Sequence, residues 1–309
     1  MRFSVCIPTY NRATFLPKAI ESVLSQSHTD FELVVLDNAS TDETSDLLKQ
    51  ITDPRARVFT NETTVSMYAN HNLCVQKAQE DWVVFLHSDD ALLPGALATM
   101  AEYAARGNCA VVMPAKELHF ASGLTSTEKL SHLEALPEIL RLPSATPTGS
   151  AIQKSVLLRQ PYLEVEIAAD LFFLAQVLGS GECISIIPDT IIEIGMGDFQ
   201  YTANWGGSGR QTIDVANVFR MIAELPSAEP QILDSVPNWS SEEVARLLLH
   251  LGCAGNSKLV RKIEAALAPR SDYRAERNYK HVRLQKILGA AVYRWSLLAR
   301  AKARGWKKP

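Results

Sequence analysis

The run Trp82-Val-Val-Phe-Leu-His-Ser-Asp-Asp90 is the feature that most constrains this chain. Five largely apolar residues of strand type lead directly into two carboxylates. A short continuous apolar run bounded by a polar turn is the pattern of a strand buried on both faces, as strands are in a parallel sheet. Asp89 and Asp90 then stand where the strand leaves the sheet, at the crevice where open α/β sheets take their ligands. Adjacent carboxylates repel each other, and a hard divalent cation relieves that repulsion. The pair also admits a second reading, in which Asp90 caps a helix with Pro94 in its first turn.

The residues before this run repeat its logic. Phe3, Val5 and Ile7 alternate as a first strand and run into Pro8-Thr9-Tyr10-Asn11. Apolar residues at 16, 19, 20, 23 and 24 have the spacing of one buried helix face. Phe31 to Leu36 is a second strand, ending in Asp37-Asn38-Ala39-Ser40-Thr41-Asp42-Glu43, where Ser40 and Glu43 have capping-box spacing for a following helix. A short strand is expected at 57–60, a helix at 67–78 and a further strand from Cys109 to Met113. Strand–helix alternation of this kind predicts right-handed βαβ units and a mostly parallel, doubly wound sheet. Three strand ends on that sheet carry polar clusters: Thr9-Tyr10-Asn11, Asp37-Asn38 and Ser88-Asp89-Asp90. Further on, a loop region over 116–148, a loop-helix pair at 149–160, a helix at 167–178 and two short strands at 184–188 and 190–194 are expected. From Arg210 the chain reads as helical, interrupted by a linker bounded by Pro226, Pro230 and Pro237, and a second capping box is formed by Ser240 and Glu243.

With these clusters in place, the N-terminal half resembles family 2 glycosyltransferases of the GT-A fold. The matching pieces are Val5-Cys-Ile-Pro-Thr-Tyr-Asn-Arg12, Ala19-Ile-Glu-Ser-Val-Leu-Ser-Gln26, Phe31-Glu-Leu-Val-Val-Leu-Asp-Asn-Ala-Ser-Thr-Asp42 and Val84-Phe-Leu-His-Ser-Asp-Asp90, in the family's order and spacing. A weaker match continues through Thr148-Gly-Ser150 and Asp170. The resemblance implies a Rossmann-like, mostly parallel sheet flanked by helices over residues 1–209, divided into a nucleotide-sugar half (1–113) and an acceptor-side half (114–209), with a helical region at 210–309. It implies transfer of a sugar, with inversion, from a nucleotide-sugar donor, a UDP-sugar being favoured, to a saccharide or lipid-linked acceptor in cell-surface polysaccharide synthesis. Asp89 and Asp90 correspond to the family's acidic metal motif and imply Mn²⁺ or Mg²⁺, although His87 stands where Asp is commonest. Pro8, Thr9, Tyr10, Asp37, Asn70, Ser88 and Asp89 are the implied donor-binding residues. Asn72 is a looser candidate for the same role, and Asn38 stands where many members have a second Asp. The general base that direct displacement requires corresponds to Asp170, with Glu164 and Glu166 as substitutes and Ala169 in place of the family's usual first acid.

Two other classes compete: a binding module that keeps the fold without the activity, motivated by His87, Asn38 and Ala169, and a nucleotidyltransferase, whose glycine- and basic-rich first loop is missing from Pro8–Asn11. A 309-residue chain with 47% hydrophobic and 21% charged residues is that of an ordinary globular protein. Five scattered cysteines without a C-x-x-C pair are expected as buried thiols in a reducing compartment. Met1-Arg2 leads straight into a strand pattern, so no signal peptide is expected, and no apolar run reaches the roughly 20 residues of a spanning helix. Residues 255–309 hold 15 Lys and Arg against 3 Asp and Glu, leaving 16 against 31 in residues 1–254. Leu284, Ile287, Leu288, Ala291, Trp295 and Leu298 within that basic tail predict an amphipathic helix at an anionic membrane surface, or alternatively one packed on the acidic body. The expected location is cytoplasmic, peripheral at the inner face of the plasma membrane, and no nucleic-acid partner is expected because no recognised motif accompanies the charge.

Overall fold

A computed structural model describes residues 1–107, 109–114, 129–130, 148–162, 173–174, 176–177, 180–195, 209–225, 228–291, 293 and 297. The chain forms two compact units: one of residues 1–131, 145–164 and 180–197, the other of 132–144, 165–179 and 198–309.

The first unit is built on β1 (Phe3–Thr9), β2 (Phe31–Asp37), β3 (Ala56–Thr60) and β4 (Trp82–Phe85). Every residue of β1, β2 and β4 is buried, which is why apolar residues dominate their sequences, with the buried Ser4 and Glu32 hydrogen-bonded to each other. The remaining strands are β5 (Ala91–Leu92), β6 (Val111–Pro114), β7 (Lys129–Leu130), β8 (Ala151–Gln153), β9 (Ile184–Ile187) and β10 (Ile192–Glu193). Eight of them form one sheet in the order β3-β2-β1-β4-β8-β6-β9-β7, while β5 and β10 pair separately. Pairing is parallel from β3 to β4 and between β6 and β9, and antiparallel where β8 lies between β4 and β6 and where β7 meets β9. The expected mostly parallel sheet is therefore present, with antiparallel insertions.

Helix α1 (Leu16–Leu24) has Pro17 in its first turn and buries Leu16, Ala19, Ile20 and Val23 against the sheet. Proline is tolerated there because a first-turn N–H has no intrahelical partner. Four short elements follow the expected order: α2 (Thr44–Leu48), α3 (Met67–Lys77), α4 (Ala96–Gly107) and α5 (Lys154–Arg159).

Several expectations are corrected. Ser40 and Glu43 form no capping box: α2 starts after Glu43 without a side-chain cap, because Ser40 Oγ is engaged by Asp37 and by the Asn11 amide. Residues 151–153, expected as loop, are a strand filling the gap between β4 and β6. Cys109 and Cys183 are joined in a disulfide just before the parallel neighbours β6 and β9, instead of being separate thiols. Cys6, Cys74 and Cys253 are buried.

In the second unit, α6 (Gly209–Ala223), α7 (Ala228–Ser235), α8 (Ser241–Cys253), α9 (Ser257–Ala266) and α10 (Arg277–Leu288) follow in order. The Pro-bounded linker is largely the helix α7, with Pro230 in its first turns. Helix α8 is central: Val244, Ala245, Leu247, Leu248, Leu251 and Cys253 are buried, and it touches α6, α9 and α10. Its capping box is formed as the sequence predicts, with Ser240 accepting from the Glu243 amide and Glu243 from the Ser240 amide at 2.7 Å. The tail is not one continuous amphipathic helix. α10 stops at Gly289, whose φ of 77° is left-handed. Its inward face is Tyr279, Val282 and Gln285; beyond the break Tyr293 and Leu297 are buried too, with Tyr293 Oη 2.8 Å from His281 Nδ1. No described helix is long and apolar enough to cross a membrane.

Ser240→Ala removes one half of a complete cap. The expected result is a loss of about 1 kcal/mol in chemical denaturation; an unchanged midpoint and slope contradict it.

Candidate active site

The parallel register brings the three polar strand ends to one edge. Thr9 lies opposite Asp37 and Asp37 opposite Thr60, while β4 continues from the Cys6–Phe85 pair towards its own polar turn. Pro8 faces the β4 side beyond the last β1–β4 pair, so its missing N–H removes no ladder bond. Thr9 is buried, and its hydroxyl has no hydrogen-bond partner among the described residues. Tyr10 next to it is 43% exposed.

The loops after β1 and β2 are stitched together by side chains. The Asn11 amide donates to Ser40 Oγ at 2.9 Å and Asn11 Oδ1 accepts from the Thr41 amide at 2.8 Å. The amides of Arg12 and Ala13 donate to Thr44 Oγ1 and Asp42 Oδ2 at 2.9 and 3.2 Å. Asp37 is fully buried, and its Oδ1 accepts from both the hydroxyl and the amide of Ser40. Asn11 and Ala39 are held at φ of 51° and 56°, where non-glycine residues are uncommon and local strain accompanies functional loops.

The turn after β4 separates its two carboxylates. Asp90 is 4% exposed; its Oδ1 accepts from the Gly195 amide at 2.9 Å, Thr148 donates to it, and His87 Nδ1 lies 3.6 Å from Oδ2. Burial raises its pKa above the ordinary carboxylate value, opposed by His87, Gly195 and Thr148, and reinforced by Asp89. Asp89 is half-buried and Ser88 is buried. A Cβ on Gly195 would sit 2.1 Å from the Asp89 carbonyl oxygen, so only glycine fits against this turn. No group of three ligating side chains occurs among the described residues. The donor set is thus one accessible carboxylate beside a second that is already satisfied. That fits a hard cation whose remaining positions are filled by phosphate oxygens and water, and not a closed protein cage.

Helix α3 supplies structure as well as candidates. Asn70 is buried, donating to the Leu36 carbonyl at 3.3 Å and accepting from Asn61 at 2.9 Å, so both ends of its amide are engaged within the protein. Asn72 is engaged by the backbone of Tyr162. Sequence reasoning passed over His71, which is buried among Tyr68, Phe85, His87 and Tyr162. Its Nδ1 is 2.8 Å from the Met67 carbonyl, and burial, helped by His87, lowers its pKa to about 3. The signal available in the sequence was Tyr68 and His71, three residues apart on one helix face. Asp170, Glu164 and Glu166 lie outside the described residues, as do most of the 116–148 loop region and residues 196–208.

Residues 4–164 match the family model described as glycosyl transferase family 2. A Campylobacter jejuni GalNAc(5)-diNAcBac-PP-undecaprenol β-1,3-glucosyltransferase is 36% identical over 109 residues, covering 34% of this chain and 35% of that protein. The putative teichuronic acid biosynthesis glycosyltransferase TuaG of Bacillus subtilis is 32% identical over 131 residues, covering 42% and 52%. The chain spans about a third to a half of the length of these and two further curated relatives, and about a sixth of two others. Among solved structures, S. aureus TarS 1–349 in complex with UDP-GlcNAc superposes with a TM-score of 0.64 at 18% identity, over 94% of this chain and 92% of that one. A Pyrobaculum calidifontis mannosyltransferase in complex with GDP-Man and Mn²⁺ gives 0.62 at 17%, over 97% and 86%. The expected GT-A fold is borne out by these likenesses.

His71 makes stability pH-dependent. Its folded pKa of about 3 lies below the unfolded value of 6.5, so between these values the unfolded chain binds the extra proton. Stability therefore rises with pH across that window, by at most about 1.4 kcal/mol per pH unit. His71→Gln is expected to flatten the rise in thermal midpoint between acid and neutral pH; an equally steep rise in the variant contradicts the assignment.

Proposed function

The chain belongs to glycosyl transferase family 2, and we propose that it is an inverting glycosyltransferase acting from a nucleoside-diphosphate sugar. The observation that carries this reading is the edge where Thr9, Asp37 and the half-buried Asp89 come together, an accessible carboxylate beside groups suited to a nucleoside. The family resemblance assigns Asp37 and Thr9 to base and ribose; both side chains are buried, so the exposed ring of Tyr10 is the group of this edge that meets the nucleoside first. Pro8 and Ser88 shape the two strand ends, and Asn70 holds the neighbouring loop. Asp89 is the carboxylate for Mn²⁺ or Mg²⁺, and Asp90, engaged by Gly195 and Thr148, holds the turn that presents it. The cation, when bound, offsets charge growing on the departing diphosphate.

In the reaction the acceptor hydroxyl oxygen bonds to the anomeric carbon as the bond from that carbon to the diphosphate oxygen breaks, with inversion. The hydroxyl proton passes to a general base, for which Asp170 is our proposal from the family resemblance alone. UDP-sugars are the favoured donors, given that TarS binds UDP-GlcNAc, with GDP-sugars next. Saccharide or lipid-linked acceptors follow from the relatives' names. The basic tail then holds the enzyme at an anionic membrane, through charge more than insertion, because Tyr293 and Leu297 are buried in the protein.

A thermal-shift panel of nucleoside diphosphates with and without Mn²⁺ tests the donor site. One nucleotide is expected to stabilise the protein only with metal, and Asp89→Asn to abolish that shift. Asp170→Asn is expected to keep the shift and lose transfer. No metal-dependent shift for any nucleotide would refute the reading. Co-sedimentation with phosphatidylglycerol vesicles is expected at low salt and lost at high salt; binding that survives high salt argues against a charge-only contact.

A further inference from the structure

The loop between β3 and α3 is held to the sheet by a side chain. Asn38 donates from Nδ2 to the Val65 carbonyl at 2.8 Å, and its Oδ1 accepts from the Val65 amide at 2.9 Å. One side-chain amide thereby makes both bonds that a neighbouring strand would make. Asn61 closes the other end of the loop. Its Nδ2 donates to Asn38 Oδ1 and to Asn70 Oδ1, each at 2.9 Å, and its backbone amide donates to the Asp37 carbonyl at 2.9 Å. Asn38 Oδ1 is shared by the Val65 amide and the Asn61 side chain and its Nδ2 is held by the Val65 carbonyl, so its amide serves the loop. Between the two anchors Glu62, Thr63 and Thr64 are exposed.

A carboxylate at position 38 could not donate to the Val65 carbonyl, so this clamp exists because the residue is Asn. We propose that Asn38 is a positioning residue that fixes the Asn61–Val65 loop beside Asp37 as the wall of the nucleoside pocket, with the hydroxyls of Thr63 and Thr64 selecting the nucleoside. The inference rests on the nucleotide-sugar reading and moves base preference from residue 38 to the loop that it holds. Threonine hydroxyls both donate and accept, so they suit the mixed edges of a base or the hydroxyls of ribose.

The second unit supplies a control. Asn256 caps α9, its Oδ1 accepting from the Leu259 amide at 3.2 Å. Asn38→Ala and Asn256→Ala each remove an asparagine side chain that holds backbone, without adding charge near an anionic ligand. Calorimetric titration with UDP and with GDP at saturating Mn²⁺, alongside thermal unfolding, tests the proposal. Both variants are expected to melt earlier. Asn38→Ala is expected to weaken binding of the preferred nucleotide by about tenfold, the effect of roughly one lost hydrogen bond, while Asn256→Ala stays within about twofold of the unaltered protein. Thr63→Ala with Thr64→Ala, both exposed and so compatible with folding, is expected to change the ratio of UDP to GDP affinity. Unaltered binding in Asn38→Ala, equal weakening in Asn256→Ala, or an unchanged ratio in the threonine variant overturns it. Failure of the unaltered protein to bind either nucleotide would instead remove the glycosyltransferase reading on which the proposal stands.

Discussion

Parallel register is the constraint on which the site depends. β1, β2 and β4 are covered on both faces, so a slip along a strand would draw the polar cluster at its end into the covered sheet or push an apolar residue out past it. Each apolar run ends in a polar cluster, and matched register therefore delivers Thr9, Asp37 and the His87–Asp90 turn to the same edge. The energy that aligns the site is the burial of Val5, Ile7, Leu33, Val35 and Val84, residues that touch no ligand.

Above that edge, the polar side chains divide into those that present and those that hold. Asp90, Ser40, Asn38, Asn61, Asn70 and Asn72 make hydrogen bonds to the protein's own backbone and side chains. Asp89, Tyr10, Thr63 and Thr64 remain turned at least partly to solvent. Buried polar groups must be satisfied, so the loops at the strand ends are built from side chains that replace ladder bonds. The exposed ones are left for chemistry. Gly195 shows how tight this is, because no side chain fits between its Cα and the Asp89 carbonyl.

Much of this was legible in the sequence. The strands, α1, α3 and the polar ends follow from periodicity and from apolar runs that stop at turn residues, and the four motifs point to the family. What was not legible required knowledge of partners distant in the chain. Ser40 and Glu43 have the spacing of a cap, yet Asn11, 29 residues away, takes the Ser40 hydroxyl as acceptor. Ser240 and Glu243 have the same spacing, and their cap forms. Asp89 and Asp90 look equivalent as neighbours, and it is His87, Gly195 and Thr148, gathered around Asp90, that separate them. The three-residue β8 is too short for periodicity to reveal, and Cys109 and Cys183 meet only because β6 and β9 are neighbours. In the tail, Gly289 breaks what the apolar spacing alone presents as one helix.

The central claim is that a cation held on the β4 turn ties the donor's diphosphate to this sheet edge. Anomalous scattering at the manganese edge, from crystals grown with Mn²⁺ and UDP, locates that ion directly. The account predicts one manganese bonded to a carboxylate oxygen of Asp89 and to diphosphate oxygens, with Asp90 still accepting from the Gly195 amide. Manganese bound elsewhere, or nucleotide bound at this edge with Asp89 pointing away from it and no metal between them, would contradict it.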